Sequence, residues 1–336
     1  MNATLSVDKA WSLARLVLTK AGTHDEAAGA VAKALVAAEL DGIPSHGLSR
    51  LPFYADQVKS GKVKGSARPV VERVAAGVLR VDACDGFAFP AIDAGIAAVG
   101  DVVDTTGAVA LAIARSHHAG VFGHHVEQLA KRELIALAFG NTPAAIAPWG
   151  GRRALFGTNP IAFAAPRRAA PPLVLDLSLS VAARGKIMMA AQNGEPIPEA
   201  WALDAEGRPT TDAKSALAGT MVAIGGAKGA ALALMVEILA AALTGGNFGF
   251  EASSFFDAAG PPPRVGQMFL VLDPARFGGD AYFARIEHLI AAILAEPGTR
   301  LPGSRRQALR QQIEQDGIVV SSALLSELEN RAGVRV

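Results

Sequence analysis

The chain opens with apolar residues at helical spacing. Ala10, Ala14, Val17 and Leu18 fall on one face of a helix, the pattern of an amphipathic segment that packs on a core. The pattern predicts three helices: one after Ser6 that ends at Gly22, one from a Thr23–Glu26 capping box to Gly42, and one from about Leu48 to Ser60. The front of the chain is therefore expected to be helical.

Beyond this segment, the apolar residues gather in short runs typical of strands. The runs RPVVERV and GVLRVDA predict a hairpin around Ala75–Gly77. A helix is predicted over FPAIDAGIAAVGDVVDTTG, and helical patterns at 126–133, 181–192 and 230–243 alternate with strand-like runs such as LIALAFGN and GQMFLVLDP. The tail, from DAYFARIEHLIAAILAE onwards, is again helical. We expect an α/β body over about residues 70–300, with helical termini that pack together.

Composition narrows the class of protein. The 336 residues are 51% apolar and only 6% aromatic, enough for one or two domains with cores of small side chains. The 32 basic and 31 acidic residues nearly cancel, so charge gives no support for nucleic-acid or membrane binding. Cys84 is the single cysteine, which excludes an internal disulfide and a Cys-rich zinc site. Without a signal-peptide pattern or a long uninterrupted apolar run, a soluble cytoplasmic protein is expected.

The glycine fingerprints of common nucleotide-binding folds are missing. No G-x-G-x-x-G links a strand to a helix, as a Rossmann dehydrogenase would require. The GGAKG stretch has the wrong spacing, and Lys228 is followed by Gly229 where a P-loop needs Ser or Thr. A nucleotide would have to be bound by another route.

The stretch DGIPSHGLSRLPFY carries the strongest candidate chemistry. If a helix begins at Gly47, His46, Arg50 and Tyr54 share one face at i, i+4 and i+8. A histidine can pass a proton to a developing alkoxide, and an arginine can hold a carboxylate with two hydrogen bonds. The pair would suit a 2-oxo or 2-hydroxy acid. A capped turn with a surface histidine and a solvated arginine explains the same spacing.

Four histidines in SHHAGVFGHH raise the question of a metal site. His117 and His124 would share a face of a continuous helix, but Gly120 and Gly123 argue against a helix there. A glycine-bearing loop lying against a flat ring or a phosphate is favoured, because small residues let the backbone approach closely. No metal is predicted.

Two further stretches are candidate anion sites. In GGAKGAALALMVE a glycine loop opens a helix beside Lys228, although a tight turn into a buried helix explains it equally well. In RLPGSRRQAL, Ser304 and Gln307 resemble a capping box, which places Arg305 and Arg306 where the helix dipole disfavours cations. A bound phosphate would explain this placement, and so would a solvated helix start.

Weaker signals lie at strand ends. Asp176 and Ser178 follow the run PPLVL and could meet ribose hydroxyls, with Arg184–Gly185 two turns further on. Thr158 and Asn159 lie in FGTNPIAF, where turn chemistry explains both residues equally well.

Together these motifs resemble the malate/L-lactate dehydrogenase family that lacks a Rossmann fold. This family includes sulfolactate, ureidoglycolate and diketogulonate enzymes and the Δ1-piperideine-2-carboxylate/Δ1-pyrroline-2-carboxylate reductases. The resemblance spans nearly the whole chain and rests on DGIPSHGLSRLPFY, SHHAG, PWGGRRALFGTNPIAFAAP, ARGKI, WALDAEGRPTTD, GGAKGAALALMVEILAAALTGG and RLPGSRR.

The resemblance implies an α/β fold with a mostly antiparallel sheet in the NAD(P)-binding domain, at residues 71–300. It implies a helical domain made of residues 1–70 and 301–336, and a homodimer with its active site between the two domains. His46 is then the proton donor supported by Ser45, while Arg50 and Thr158 hold the substrate. The residues implied to line an NAD or NADP cofactor are His118, Ala119, Gly120, Val121, Phe122, Asp176, Leu177, Ser178, Arg184, Gly185, Ala227, Lys228, Arg300, Leu301, Pro302, Gly303, Ser304, Arg305 and Arg306.

Two departures bear on the reaction. The cyclic-imine reductases carry an acid after the Arg/His-Gly pair and a histidine before Lys-Gly, where this chain has Lys186 and Ala227. Both departures favour hydroxy-acid chemistry, and Arg152 or Arg153 is a candidate for a second anionic group of the substrate. The expected function is interconversion of a 2-oxo acid and a 2-hydroxy acid. Imine reduction, a non-catalytic nucleotide-binding protein and a metal-binding protein are the alternatives.

Overall fold

The computed structural model describes residues 2–334 as alternating helices and strands. The strands are β1 Asn2–Leu5, β2 Val70–Ala75, β3 Val78–Asp82, β4 Ala108–Ser116, β5 Ile135–Gly140, β6 Ile161–Ala165, β7 Leu173–Leu177, β8 Ala202–Leu203, β9 Thr220–Met221, β10 Val265–Leu272 and β11 Ile318–Ser321. The helices are α1 Val7–Ala21, α2 Asp25–Leu40, α3 Leu51–Lys59, α4 Ala88–Thr106, α5 Phe122–Ala130, α6 Arg184–Asn193, α7 Ala213–Ala218, α8 Ala227–Glu237, α9 Pro274–Phe277, α10 Ala281–Ala295, α11 Ser304–Asp316 and α12 Ser322–Ala332. No helix within this described range is both long and apolar enough to cross a bilayer.

A seven-stranded sheet forms the centre of the α/β body. Its order is β2-β3-β4-β10-β5-β6-β7, and β3 with β4 is the one parallel pair of this sheet. The predicted mostly antiparallel, non-Rossmann sheet is confirmed, and so is the hairpin of β2 and β3. Strand β10 lies between β4 and β5 with six of its eight residues buried, which explains why its sequence is apolar apart from Gln267 rather than alternating.

A core of small and branched side chains lies on one face of the sheet. Helices α4 and α5 cover this face, and Ile92, Ile96 and Val126 pack against Leu111 and Phe269 of the strands. Gly95 lets α4 approach closely, because a Cβ at this position would meet both methyl groups of Leu111 at 2.9 Å. This packing fixes the segment between β4 and α5, which contributes to the candidate active site described below.

The two ends of the chain share a second core. Strands β1 and β11 pair antiparallel, and Leu18 and Leu35 from the first two helices pack with Ile318 and Leu328 from the tail. Helix α1 is bounded as its sequence predicts, because the Ser6 hydroxyl accepts a hydrogen bond from Lys9 N and Gly22 takes the left-handed conformation. The pairing of β1 with β11 has no counterpart in the sequence prediction.

Several predicted helix starts were wrong. The cap of α2 is the His24 imidazole, which accepts from Ala27 N, rather than Thr23. Helix α11 has Gly303 as its cap residue, and the Ser304 hydroxyl bonds back to Leu301 O, so the capping box is absent. Helix α5 begins at Phe122 and includes Gly123, against the expectation that this glycine excludes a helix.

Candidate active site

The segment after α2 folds into two short 3-10 turns, Pro44–His46 and Leu48–Arg50, before α3 begins. The single helical face predicted for His46, Arg50 and Tyr54 is therefore wrong, because Gly47 (φ −97°, ψ −141°) interrupts it. A Cβ at Gly47 would collide with the Glu39 carboxylate. That buried carboxylate accepts from Leu48 N at 2.7 Å, and so pins the turn to α2.

These turns still bring the predicted groups together. The Ser45 hydroxyl lies 3.1 Å from His46 Nδ1, and Arg50 Nε donates to Ser45 O at 2.7 Å. Ser45 thus contacts His46 through its hydroxyl and Arg50 through its main-chain carbonyl.

His118 links this site to α3. Its Nδ1 lies 2.6 Å from the Tyr54 hydroxyl, and its ring centroid is 5.4 Å from that of His46. Tyr54 is fully buried, and burial raises the pKa of its hydroxyl above the ordinary range. The pKa of His118 is lowered well below its usual value by burial and by nearby Arg50. Tyr54 is thus a neutral hydroxyl and His118 a neutral imidazole at physiological pH.

Arg50 is a buried cation whose hydrogen-bonding capacity is only partly used. Its side chain is held by Ser45 O, and its guanidinium carbon lies 4.5 Å from the centre of the Phe256 ring. Among residues 2–334 its buried Nη1 has no hydrogen-bond partner, and a buried unpaired donor on a charged group is costly. The group that removes this cost is an anion such as a substrate carboxylate.

The His46 imidazole is neutral in the free protein. Burial, followed by the charges of Arg50 and His124, lowers its pKa to about 4. A neutral imidazole near a carboxylate clamp is ready to accept a proton from a bound alcohol.

A cavity of about 310 Å³ lies between β7 and the start of α11. It is lined by Val174, Leu175, Asp176, Leu177, Arg300, Pro302, Gly303, Arg305 and Arg306, seven of which are predicted cofactor residues. Gly303 (φ +83°) is needed at its wall, because a Cβ there would lie 3.0 Å from Val174 O. Asp176 accepts from Gly123 N at 2.8 Å, and Arg306 Nη1 lies 3.9 Å from its carboxylate.

Asp176 joins this cavity to the His118–Phe122 segment. Gly120 (φ +66°) turns the chain against Phe89, and α5 begins beneath the carboxylate. Ala119 and Val121 of this segment are buried. Burial raises the pKa of Asp176. The structure therefore brings the predicted 118–122, 176–178 and 300–306 segments to one place.

Thr158 lies beside this same region. Its carbonyl accepts from Leu179 N at 2.8 Å and from the Ser178 hydroxyl at 3.4 Å, and its hydroxyl is 3.4 Å from that of Thr142. The turn is supported by buried Glu237, which accepts from Gly157 N at 3.3 Å. Thr158 is thus positioned through Ser178 rather than through the His46 turn.

Helix α6 begins next to Ser45. A Cβ on Gly185 would lie 3.9 Å from the Ser45 Cβ. Arg184, at the first position of α6, is partly buried, and burial lowers its pKa. Lys186 points elsewhere, with its ammonium 5.8 Å from the centre of the Trp201 ring.

The remaining predicted residues lie on the surface. Ala227 and Lys228 are exposed at the start of α8, after Gly226 (φ +63°), which packs against the ring of Trp149. Arg152 and Arg153 are exposed in the loop after Trp149, where Arg152 lies against Gly207.

Each histidine of SHHAGVFGHH has its own surroundings. His117 is enclosed by aromatic rings, with Phe255 at 5.2 Å, and His125 Nε2 lies 2.9 Å from Ala119 O. His124 Nε2 lies 2.7 Å from Asp41, which also accepts from Arg310 Nε at 2.9 Å. The last group was missed from the sequence, since nothing local relates position 41 to positions 124 and 310.

Known proteins resemble this chain in sequence and in fold. A family profile described as malate/L-lactate dehydrogenase matches residues 5–329. The chain is 53% identical over 336 residues, all of both chains, to (2R)-3-sulfolactate dehydrogenase (NADP(+)) of Chromohalobacter salexigens. Among solved structures it resembles Δ1-piperideine-2-carboxylate reductase from Pseudomonas syringae (TM-score 0.92, 39% identity, 98% of this chain and 99% of that one). It also resembles sulfolactate dehydrogenase from Methanocaldococcus jannaschii (TM-score 0.90, 27% identity, 99% and 98%).

Proposed function

Because this chain belongs to the malate/L-lactate dehydrogenase family, we propose that it interconverts a 2-oxo acid and a 2-hydroxy acid with NADP(H), on a substrate of the 3-sulfolactate type. The observation that carries the proposal is the meeting of His46 and Arg50 around Ser45. The substrate type is supported by the 53% identity to the sulfolactate enzyme over the full length of both chains.

In this proposal each group has one task. Arg50 binds the substrate carboxylate through its guanidinium, whose Nη1 has no partner within the described part of the chain. His46 accepts the hydroxyl proton during oxidation and returns it to the carbonyl oxygen during reduction. Ser45 orients the His46 ring through Nδ1. The negative charge of a bound acid raises the pKa of His46 from its low value, which favours proton donation during reduction.

The cavity beside α11 fits a dinucleotide phosphate. Arg300, Arg305 and Arg306 line it, and the first turn of a helix is a costly place for cations unless an anion is bound. When bound, the nicotinamide supplies or accepts the hydride. In this proposal Asp176 and Ser178 meet the ribose hydroxyls, and the three arginines favour NADP over NAD because they suit an additional phosphate.

A second anionic group on the substrate needs a further cation. Arg184 is the arginine whose helix starts beside Ser45, and Arg152 and Arg153 are the alternatives from the neighbouring loop. Alanine variants at the three positions, assayed with 3-sulfopyruvate and with pyruvate, identify which one is used. The ratio of kcat/KM for 3-sulfopyruvate to kcat/KM for pyruvate should fall in the variant that lacks the sulfonate-binding arginine and stay unchanged in the other two variants.

Reduction of a cyclic imine is the second candidate function, supported by the structural similarity to the piperideine-carboxylate reductase. Against it, the side chain after Arg184–Gly185 is Lys186, which stacks on Trp201 instead of placing an acid near Ser45. A screen of NADPH and NADH oxidation with 3-sulfopyruvate, oxaloacetate, pyruvate and Δ1-piperideine-2-carboxylate separates the candidates. Turnover of the imine alone would overturn the proposal.

We also propose that residues 1–70 with 301–336 act as a helical domain against the 71–300 cofactor domain, and that the chain forms a cytoplasmic homodimer. Exposed apolar side chains on and after α8 support the dimer: Leu232, Leu234, Met235, Ile238 and Leu243. A soluble dinucleotide cofactor and a single cysteine suit the cytoplasm.

A further inference from the structure

A loop at residues 253–260, here called the Phe loop, places two aromatic rings against the site. The Phe255 ring is buried, 5.1 Å from that of His118. The Phe256 ring covers one face of the Arg50 guanidinium at 4.5 Å and meets Phe53 edge-on at 6.1 Å. The Phe loop thus forms a wall of the proposed substrate site.

A buried ammonium makes several contacts with this loop. The Lys62 side chain is 0% exposed, and its Nζ donates to three main-chain carbonyls of the Phe loop: Ser254 O at 2.7 Å, Asp257 O at 3.1 Å and Ala259 O at 2.7 Å. It also lies 3.3 Å from the carboxylate of Asp257, which is half exposed. The ammonium is therefore satisfied mainly by the backbone, and it fixes the path of the loop.

Helix α3 connects the residues that hold the Phe loop, here called the Lys62 clamp, with the proposed substrate site. Gln57 of α3 is fully buried and donates from Nε2 to Asp257 O at 2.9 Å. Helix α3 follows directly from Arg50 and carries Tyr54, and Lys62 follows its end. The Phe loop is therefore held at a fixed distance from the same element that presents Arg50.

We propose that Lys62 is a positioning residue whose clamp keeps Phe255 and Phe256 against His118 and Arg50. Phe256 closes one face of the guanidinium, so it limits the directions from which a substrate carboxylate can approach Arg50. This inference rests on the proposed function and extends it to the determinant of acid binding.

The test compares three variants. Lys62→Met keeps an unbranched side chain, one atom shorter, and removes its donors. Phe256→Leu removes the ring and leaves the Lys62 contacts, and Lys59→Met changes an exposed lysine of α3 as the control. Hydrogen exchange of peptides covering 253–260 reports the loop. Binding of oxamate, an unreactive 2-oxo acid analogue, is measured by calorimetry with NADPH present, alongside the steady-state KM.

Lys62→Met is expected to speed hydrogen exchange in the Phe loop. It should also weaken oxamate binding and raise the KM for the 2-oxo acid, each about tenfold to a hundredfold. Phe256→Leu is expected to weaken oxamate binding without opening the loop. The NADPH dissociation constant should change less than about twofold in both, a selectivity that general loss of stability would not produce.

Two results overturn the proposal: faster loop exchange in Lys62→Met with wild-type oxamate binding, or wild-type oxamate binding in Phe256→Leu. The second decides the matter even if Lys62→Met does not fold. Failure of the proposed function is a separate result: the wild-type protein would then reduce no 2-oxo acid in the screen. The hydrogen-exchange and oxamate-binding measurements would still test the role of Lys62.

Discussion

At the scale of single residues, the low pKa of His46 determines when the proposed chemistry can run. Burial and the charges of Arg50 and His124 hold this pKa at about 4, so the imidazole is neutral above that pH. Oxidation needs the neutral form as its base. We therefore expect kcat/KM for the hydroxy acid to show no loss from His46 protonation between pH 7 and about 5, and to fall as the pH approaches 4. A decline centred near 6.5, the ordinary histidine pKa, would show that the imidazole is not buried in this way.

Replacement of His46 gives the complementary prediction. His46→Gln should lower kcat by about 100-fold to 10,000-fold, the usual contribution of a general acid or base, while the NADPH dissociation constant stays unchanged. His288→Gln, which changes an exposed histidine on α10, is the matched control. A non-catalytic nucleotide-binding protein would respond alike to both changes.

At the scale of elements, one arginine joins three helices. Arg310 of α11 bonds Asp41 at the end of α2 and donates to both Glu127 oxygens of α5 at 3.0 Å. The Asp41 carboxylate is only 2% exposed, so removal of its cation leaves a buried charge with less support. We expect Arg310→Met to lower the free energy of unfolding by roughly 3 kcal/mol. Arg305→Met, at an exposed position of the same helix, should cost little. Equal losses in urea titrations would contradict this role for Arg310.

The elements also show what local sequence can and cannot predict. Helix α1 and the β2–β3 hairpin follow from apolar period and turn residues, which act between near neighbours. The cap of α2 was missed because Thr23 has the side chain of a usual cap, yet this residue is buried and His24 takes that role. The β1–β11 pair joins strands more than 300 residues apart, and no local pattern encodes such a partner.

The candidate site divides in the same way. His46 and Arg50 lie four residues apart and were candidates from their chemistry, while the family resemblance supplied their roles and that of Ser45. Its closeness to His118, and the gathering of Asp176, Gly123 and Arg306, depend on the sheet order. Lys62 gave no signal, because a lysine three residues after the end of a helix ordinarily suggests a solvated surface.

At the scale of the whole molecule, the exposed apolar side chains of α8 predict association. Leu234 is 48% exposed on a helix with further exposed leucine and methionine, and a charge buried at an interface is costly. Leu234→Glu should shift the protein from dimer to monomer in sedimentation velocity. Leu289→Glu, at a 60% exposed leucine of α10, should leave the dimer intact. A wild-type protein that sediments as a monomer would remove the proposal.

Acid sensitivity is a further property of the whole fold. Burial lowers the pKa of His117 to about 3 and that of His125 to about 4, against about 6.5 in an unfolded chain. The unfolded state therefore takes up protons first as the pH falls below about 6.5. Stability is fully present above that pH and is lost toward pH 4, with a slope of up to about 1.4 kcal/mol per pH unit for each histidine.

This slope is measured by denaturant titrations between pH 7 and 4.5. His125→Gln should flatten it by about the share of one histidine, since the variant has one fewer group to protonate on unfolding. The control His288→Gln alters an exposed side chain and should follow the wild-type curve. If His125→Gln also runs parallel to the wild type, then His125 is protonated in the folded state as readily as in the unfolded one, and the core around α5 admits water.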